Sequence, residues 1–348
     1  MRFMNMRWSG TCILFWGLVA GASAQDSPVI RREARLVLVP VLVTDKAGLL
    51  SEPLTAKDFV LTDDGTAMNL RLEDRSPQPL AVLVVMQTGG SAPRQFRNYS
   101  TLETMLQYVA GAADCRFGLL TFDSKPEGLL RFSRDVSRLH DPIQAPEAGD
   151  GSAAILDAVS TGVDLLAALP QTTRRVILLL SQPQDTASKT PAHELLRKMS
   201  ENNVEVYSLT FSPEKTELMD SLKGNRHANP PYQLGPAGPT VMGTFDLGTP
   251  LGMAFRALQK NAASEMAELS GGESFRFDDR AELEKQMAIL ANHLPNRYLL
   301  SFQPVSGKEG LHRIEVRIPA HPELTVHARN AYWSSASTSG ASTPTHLP

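Results

Sequence analysis

The run Val82-Leu83-Val84-Val85-Met86 ends on Gln87-Thr88-Gly89-Gly90-Ser91, an apolar strand opening into a small polar loop. Such a loop can offer a ligand backbone N–H groups, hydroxyls and a carboxamide, but it holds no carboxylate. It is not a phosphate loop, because Gly-x-x-x-x-Gly-Lys-Ser/Thr and Gly-x-Gly-x-x-Gly are both absent. No Gly-x-Ser-x-Gly elbow presents a nucleophile. His193-Glu194 lacks the second histidine of a His-Glu-x-x-His zinc helix and reads as a solvated helix start. His312 and His327 fall in strand-like runs and read as structural. Asp63-Asp64-Gly65 raises calcium, yet no further spaced acids follow, so it reads as a hairpin turn. Asp150 and Asp185 are the acids an unrecognised hydrolase would use. No catalytic constellation emerges.

The elements that must position these residues alternate. Phe96, Tyr99, Leu102, Leu106 and Val109 recur at helical spacing, as do Ile155, Val159, Val163, Leu166 and Leu169. Leu195, Leu196 and Met199 mark another helix, and Phe255, Leu258, Ala262, Met266 and Leu269 one more, capped by Gly271-Gly272. Leu283, Met287 and Leu290 mark the last. Between them, Phe117 to Phe122, Leu129 to Phe132, Val176 to Leu180, Val204 to Leu209 and Glu273 to Phe277 read as strands. This series predicts an α/β fold, a mainly parallel sheet flanked by helices.

On either side the texture is β-rich. Leu36 to Val43 predicts a strand, with Pro40 suggesting a sheet edge because it cannot donate to a ladder. Phe59 to Thr62 predicts another, returning through Leu70-Arg71-Leu72. Tyr298 to Phe302, His312 to Ile318 and Leu324 to Arg329 close the chain, the middle one alternating as a strand with one wet face. Both sets are too short for separate cores, so they are expected to pair into one β-unit. The organisation read from the sequence is a leader over 1–24, an N-terminal β flank over 25–78 and an α/β domain over 79–295. A long loop over 213–250 interrupts that domain; a C-terminal β flank over 296–333 and a disordered tail over 334–348 follow.

Arg2 and Arg7 precede the apolar run Cys12 to Val19, and Ala22-Ser23-Ala24 follows, the order of a secretory signal cleaved after Ala24. The alternative, a membrane anchor, would need about 20 apolar residues. The expectation is a secreted or periplasmic protein with no membrane span after cleavage. Loss of the two arginines takes the formal charge from −3 to −5, and no basic block appears, so nucleic acid is not an expected partner. Cys115 is left without a partner for a disulfide and reads as a buried structural thiol.

Several segments resemble the bacterial von Willebrand factor A-related domain family, over about residues 35–333. Val39-Pro40-Val41-Leu42-Val43-Thr44-Asp45, then Leu54-Thr55-Ala56-Lys57-Asp58-Phe59 and Asp64-Gly65, resemble its N-terminal flank. Asp114 to Phe122 resembles its second sheet strand, while Tyr298-Leu299-Leu300 and Arg329-Asn330-Ala331-Tyr332-Trp333 resemble its C-terminal flank. The resemblance implies a von Willebrand A-like (Rossmann-like) sheet with a metal-ion-dependent adhesion site at its C-terminal edge. That site uses an Asp-x-Ser-x-Ser loop after the first strand, a threonine ahead of a helix and an aspartate after the fourth strand. On this chain those positions fall on Gln87, Gly89 and Ser91, on Ala153 beside Ser152, and on Gln182, with Asp185 just beyond. Mg²⁺ wants six oxygens, with carboxylates to offset its charge. Both aspartates, one serine and the threonine are replaced, so no metal and no cofactor is expected; an irregular site would have to use Asp150 and Asp185.

The function expected is a non-enzymatic, adhesion-type protein–protein interaction module that works without metal. Its partner would be a protein of the cell envelope or extracellular space, meeting the loops 87–95, 149–153 and 182–190, with the long loop 213–250 as a further candidate. The alternatives are a structural scaffold in an envelope assembly and the hydrolase above.

Overall fold

The computed structural model describes residues 36–74, 78–110, 114–212, 250–304 and 309–334. The leader, residues 213–249 of the long loop and residues 335–348 of the tail lie outside the described residues.

Four short strands lead into the α/β core: β1 Val37–Thr44, β2 Val60–Asp63, β3 Thr66–Ala67 and β4 Leu70–Leu72. The core then runs β5 Leu80–Gln87, α1 Leu102–Ala110, β6 Cys115–Phe122, β7 Pro126–Ser133, α2 His140–Gln144, α3 Ile155–Ala167 and β8 Arg174–Ser181. It continues through α4 Ala192–Glu201, β9 Val204–Thr210, α5 Pro250–Lys260, α6 Ala262–Ser270, β10 Ser274–Arg276 and α7 Arg280–His293. Four strands close it: β11 Tyr298–Phe302, β12 Gly310–Arg317, β13 Thr325–Ala328 and β14 Ala331–Ser334.

The central sheet has the order β10-β9-β8-β5-β6-β7, parallel except for the antiparallel edge strand β7. Every residue of β5 is buried, because each face of this sheet is covered. Ala81, Leu83 and Val85 point into one core with α3, α4, α5 and α6. Leu80, Val82, Val84 and Met86 point into the other with α1 and α7. Strand alternation thus feeds two layers of helices from one continuous apolar run. The sheet order reverses at β5: β6 lies on one side and β8 on the other. Loops leaving the C-terminal ends of such a pair part in opposite directions and open a crevice, the usual ligand position in this class of sheet.

The terminal segments pair with each other. One antiparallel sheet has the order β13-β1-β11-β4 and a second β14-β12-β2-β3, and their inner faces share a third core built around Val39, Val41, Leu61, Leu300, Phe302 and Tyr332. Arg329 ties this layer to the α/β core. Its Nε donates to the Ala331 carbonyl at 2.8 Å and its Nη1 reaches Leu38 O at 3.3 Å and Asn203 Oδ1 at 3.4 Å.

Three sequence expectations are corrected. Pro40 does not mark an edge, since β1 lies between β11 and β13. Its carbonyl faces Arg329 N, just past the last pair of the β13 ladder, so the missing N–H removes no ladder bond. Leu70-Arg71-Leu72 does not return against β2; β3 does, and β4 crosses to pair with β11. The helical pattern over Phe255 to Leu269 is two helices, broken at Asn261, whose side chain caps α6 by accepting from Ser264 N.

Candidate functional site

Three loops meet at the C-terminal edge of the sheet, at the switch between β5 and β8. After Gln87 the chain turns through Thr88, whose N–H and hydroxyl both donate to Phe122 O, at 2.7 and 3.0 Å. Gly90 takes a left-handed φ of 59° and donates to Asp150 O at 2.7 Å, while Gly149 N donates to Thr88 O at 3.0 Å. Those bonds zip the loop after β5 to the segment ahead of α3. That segment is fixed in turn on the loop after β8: Thr186 N donates to Ala153 O and Ala153 N to Thr186 Oγ1, each at 2.9 Å.

Gln87 and Gln182 meet in the middle. Gln87 Nε2 donates to Gln182 Oε1 at 3.1 Å and to Gly89 O at 3.0 Å; its Oε1 accepts from Gln182 N at 2.8 Å. Gln182 Nε2 donates onward to Gln184 O at 2.9 Å. Gln87 is fully buried and Gln182 is 8% exposed. A carboxamide carries a donor and an acceptor on one group, so two of them can close on each other. Two carboxylates could not do so without a cation between them.

The residues do not fit a magnesium ion of the kind the resemblance implies. A side chain at position 89 would meet the Ser152 carbonyl oxygen and lie 2.7 Å from Asp123 Cβ and Asp150 O, so this backbone leaves no room for a serine there. Ala153 offers a methyl with no exposure. Ser91 keeps its hydroxyl, buried and without a hydrogen-bond partner among the described residues. Asp185 is turned elsewhere: Oδ1 accepts from Leu156 N at 3.2 Å and from Ser188 Oγ at 2.6 Å, holding the first turn of α3. Burial raises its carboxyl above the ordinary range, with the Ser188 and Leu156 hydrogen bonds opposing. Asp150, on the rim, is held below the ordinary range chiefly by a hydrogen bond from Ser124.

The structure therefore brings Gln87, Gly89, Ser152, Ala153 and Gln182 together and diverts Asp185 to a helix terminus. Gln87, Gly89, Ser91, Ala153 and Gln182 are buried, whereas Lys125, Asp150, Gln184, Thr186 and Lys189 are exposed on the rim. Sequence reasoning missed Asp123, at the end of β6. Its Oδ2 accepts from Asp150 N at 3.1 Å and its carbonyl from Ala154 N at 2.7 Å, so it braces the segment ahead of α3. The available signal was positional: Asp123-Ser124 follows the neighbouring parallel strand at the same sheet edge. Cys115 sits at the opposite end of β6, buried as expected, its thiol pushed up to about 12 by that burial. His193 is exposed at the start of α4, also as expected.

No protein-family model and no curated protein matches this sequence. The fold is similar to an aerotolerance-related membrane protein from Bacteroides fragilis, at 15% identity and a TM-score of 0.38, over 61% of this chain and 98% of that one. It is similar at 14% identity and a TM-score of 0.38 to the conserved hypothetical protein BatB from Bacteroides thetaiotaomicron, over 62% and 98% of the two chains. It is also similar to the SpRpn10 VWA domain, at 11% identity and a TM-score of 0.37, over 60% and 93%. The core itself has five parallel strands, an antiparallel edge strand and helices on both faces, with the three loops gathered beyond its first and fourth strands.

Proposed function

We propose that this is an exported, non-enzymatic interaction module that docks a protein partner on the C-terminal edge of its central sheet, without a metal ion at that edge. The observation that carries the reading is the Gln87–Gln182 pair at the switch of the sheet. It fills the place of two charged ligands with a neutral, internally satisfied lock. The lock holds three loops in one arrangement and leaves Lys125, Asp150, Gln184 and Lys189 to face outward. A partner is then recognised by shape, hydrogen bonds and these few charges. The order of basic, apolar and small residues over 1–24 supports export.

The test is site-specific photo-crosslinking in the cell envelope. A photoreactive residue at Gln184 or Lys189 is expected to capture a discrete partner, equally well with a chelator present, whereas one at the exposed Arg131 on β7 is not. Capture at position 131 alone, or capture abolished by chelator, would count against the proposal.

A further inference from the structure

The chemistry that sequence reading set aside reappears in the β flank. Asp63 ends β2 and Asp64 opens its hairpin turn at a left-handed φ of 47°. His312, 249 positions beyond Asp63, lies on the neighbouring strand β12, two residues from Ile314, the cross-strand partner of Asp63. His312 Nδ1 is 3.2 Å from Asp63 Oδ1 and 3.0 Å from Asp64 Oδ2. The histidine and Asp63 are 3% and 5% exposed, while Asp64 is 47% exposed at its side chain.

We propose that Asp63, Asp64 and His312 form a site for a transition-metal dication of the zinc type, entered from solvent past Asp64. Each carboxylate has one oxygen held by a fixed protein donor. Tyr332 OH donates to Asp63 Oδ2 at 2.8 Å, and the Arg313 backbone N–H donates to Asp64 Oδ1 at 2.9 Å. The other oxygen of each is aimed at the same imidazole nitrogen. This is how proteins orient metal ligands, by bonding the far side of each ligand to a second group. The spacing agrees: bonds of about 2.1 Å to one ion place neighbouring ligand atoms about 3.0–3.4 Å apart. One Nδ1–H serves two carboxylates poorly, and among the described residues no lysine or arginine pairs with either aspartate. A dication bound by deprotonated Nδ1 and two carboxylate oxygens offsets both charges. Imidazole among the ligands favours zinc and its neighbours over magnesium or calcium, which select oxygen. The site is independent of the sheet-edge reading, since it lies in a different sheet.

The experiment is calorimetric titration of ZnCl₂ into the full chain, with MgCl₂ at the same concentration as control, and with Asp64→Asn, His312→Gln and Tyr332→Phe beside it. Asp64→Asn keeps an oxygen for the Arg313 N–H and a residue type that tolerates positive φ, so it is expected to fold; circular dichroism checks this. The expected result is one zinc per chain at this site, no magnesium heat, loss of that binding in Asp64→Asn and His312→Gln, and about 10- to 100-fold weakening in Tyr332→Phe. No stoichiometric zinc binding by the wild type, or wild-type affinity in the folded Asp64→Asn protein, would leave His312 as a shared hydrogen-bond donor only and overturn the proposal.

Discussion

The Gln87–Gln182 pair shows how two carboxamides close a buried convergence point without a charge. Four polar atoms that would need an ion become donors and acceptors for one another and for the backbone. Removing one member should therefore be costly. Gln182→Ala leaves the buried Gln87 amide without one of its partners, and the expected loss of stability is about 1–3 kcal/mol by urea denaturation. Gly89→Ser should lower the Tm further than Gln182→Ala, because its Cβ meets backbone at Ser152 and Asp150 rather than a flexible side-chain end. Equal or higher stability of either variant would mean that the loops rearrange more freely than this packing implies. The substitutions at 87, 153 and 182 were legible in the sequence, since each stands at a position with a stated metal role. The mutual closure of the two glutamines was not, because 95 positions separate them and only the sheet order makes them neighbours. Asp123 belonged to no motif at all.

At the scale of elements, the loop after β8 is a fastening for α3. Asp185 and Ser188 hold its first turn, and Asp157 accepts from Lys189 N and Thr190 N at 3.0 and 2.7 Å. Burial raises the folded pKa of Asp185 above its unfolded value, so its stabilising contribution is complete below the ordinary carboxylate range and is lost as pH rises through the raised value. Asp185→Asn removes that titration while keeping one oxygen for the helix. Its stability relative to wild type is expected to improve as pH rises from the acid side through that range; a difference flat with pH would contradict the assignment. Helices and core strands were legible from periodicity, because one face or both faces of each are apolar. The flank was less so. Pro40 would exclude a neighbouring strand only if that strand's ladder continued past its nitrogen, and Leu70-Arg71-Leu72 has the same pattern whether it folds back on β2 or crosses to β11. Both outcomes depend on partners far along the chain, where local pattern is silent.

For the whole molecule, the first and last β segments pair into one layer that rests on the N-terminal end of the central sheet, with Arg329 and Arg174 at the junction. Arg174 pairs with Glu205 through two bonds of 2.8 Å and donates to Leu294 O at 2.6 Å. Burial alone would raise Glu205, but the Arg174 charge and hydrogen bonds win and hold it below its ordinary range. Arg329→Met removes the donors that span Leu38, Asn203 and Ala331, and is expected to cost about 2–4 kcal/mol in a thermal or urea transition. A loss under about 0.5 kcal/mol, the size of an ordinary surface change, would mean that the junction does not depend on it. The edge proposed to meet a partner lies at the far end of the sheet from this junction, so such variants should leave docking intact. The edge is proposed to need no ion, and the most direct measurement of this is calorimetric titration of Mg²⁺ into the full chain beside Gln87→Ala. No saturable binding is expected in either protein; stoichiometric Mg²⁺ binding by the wild type that disappears in Gln87→Ala would contradict it.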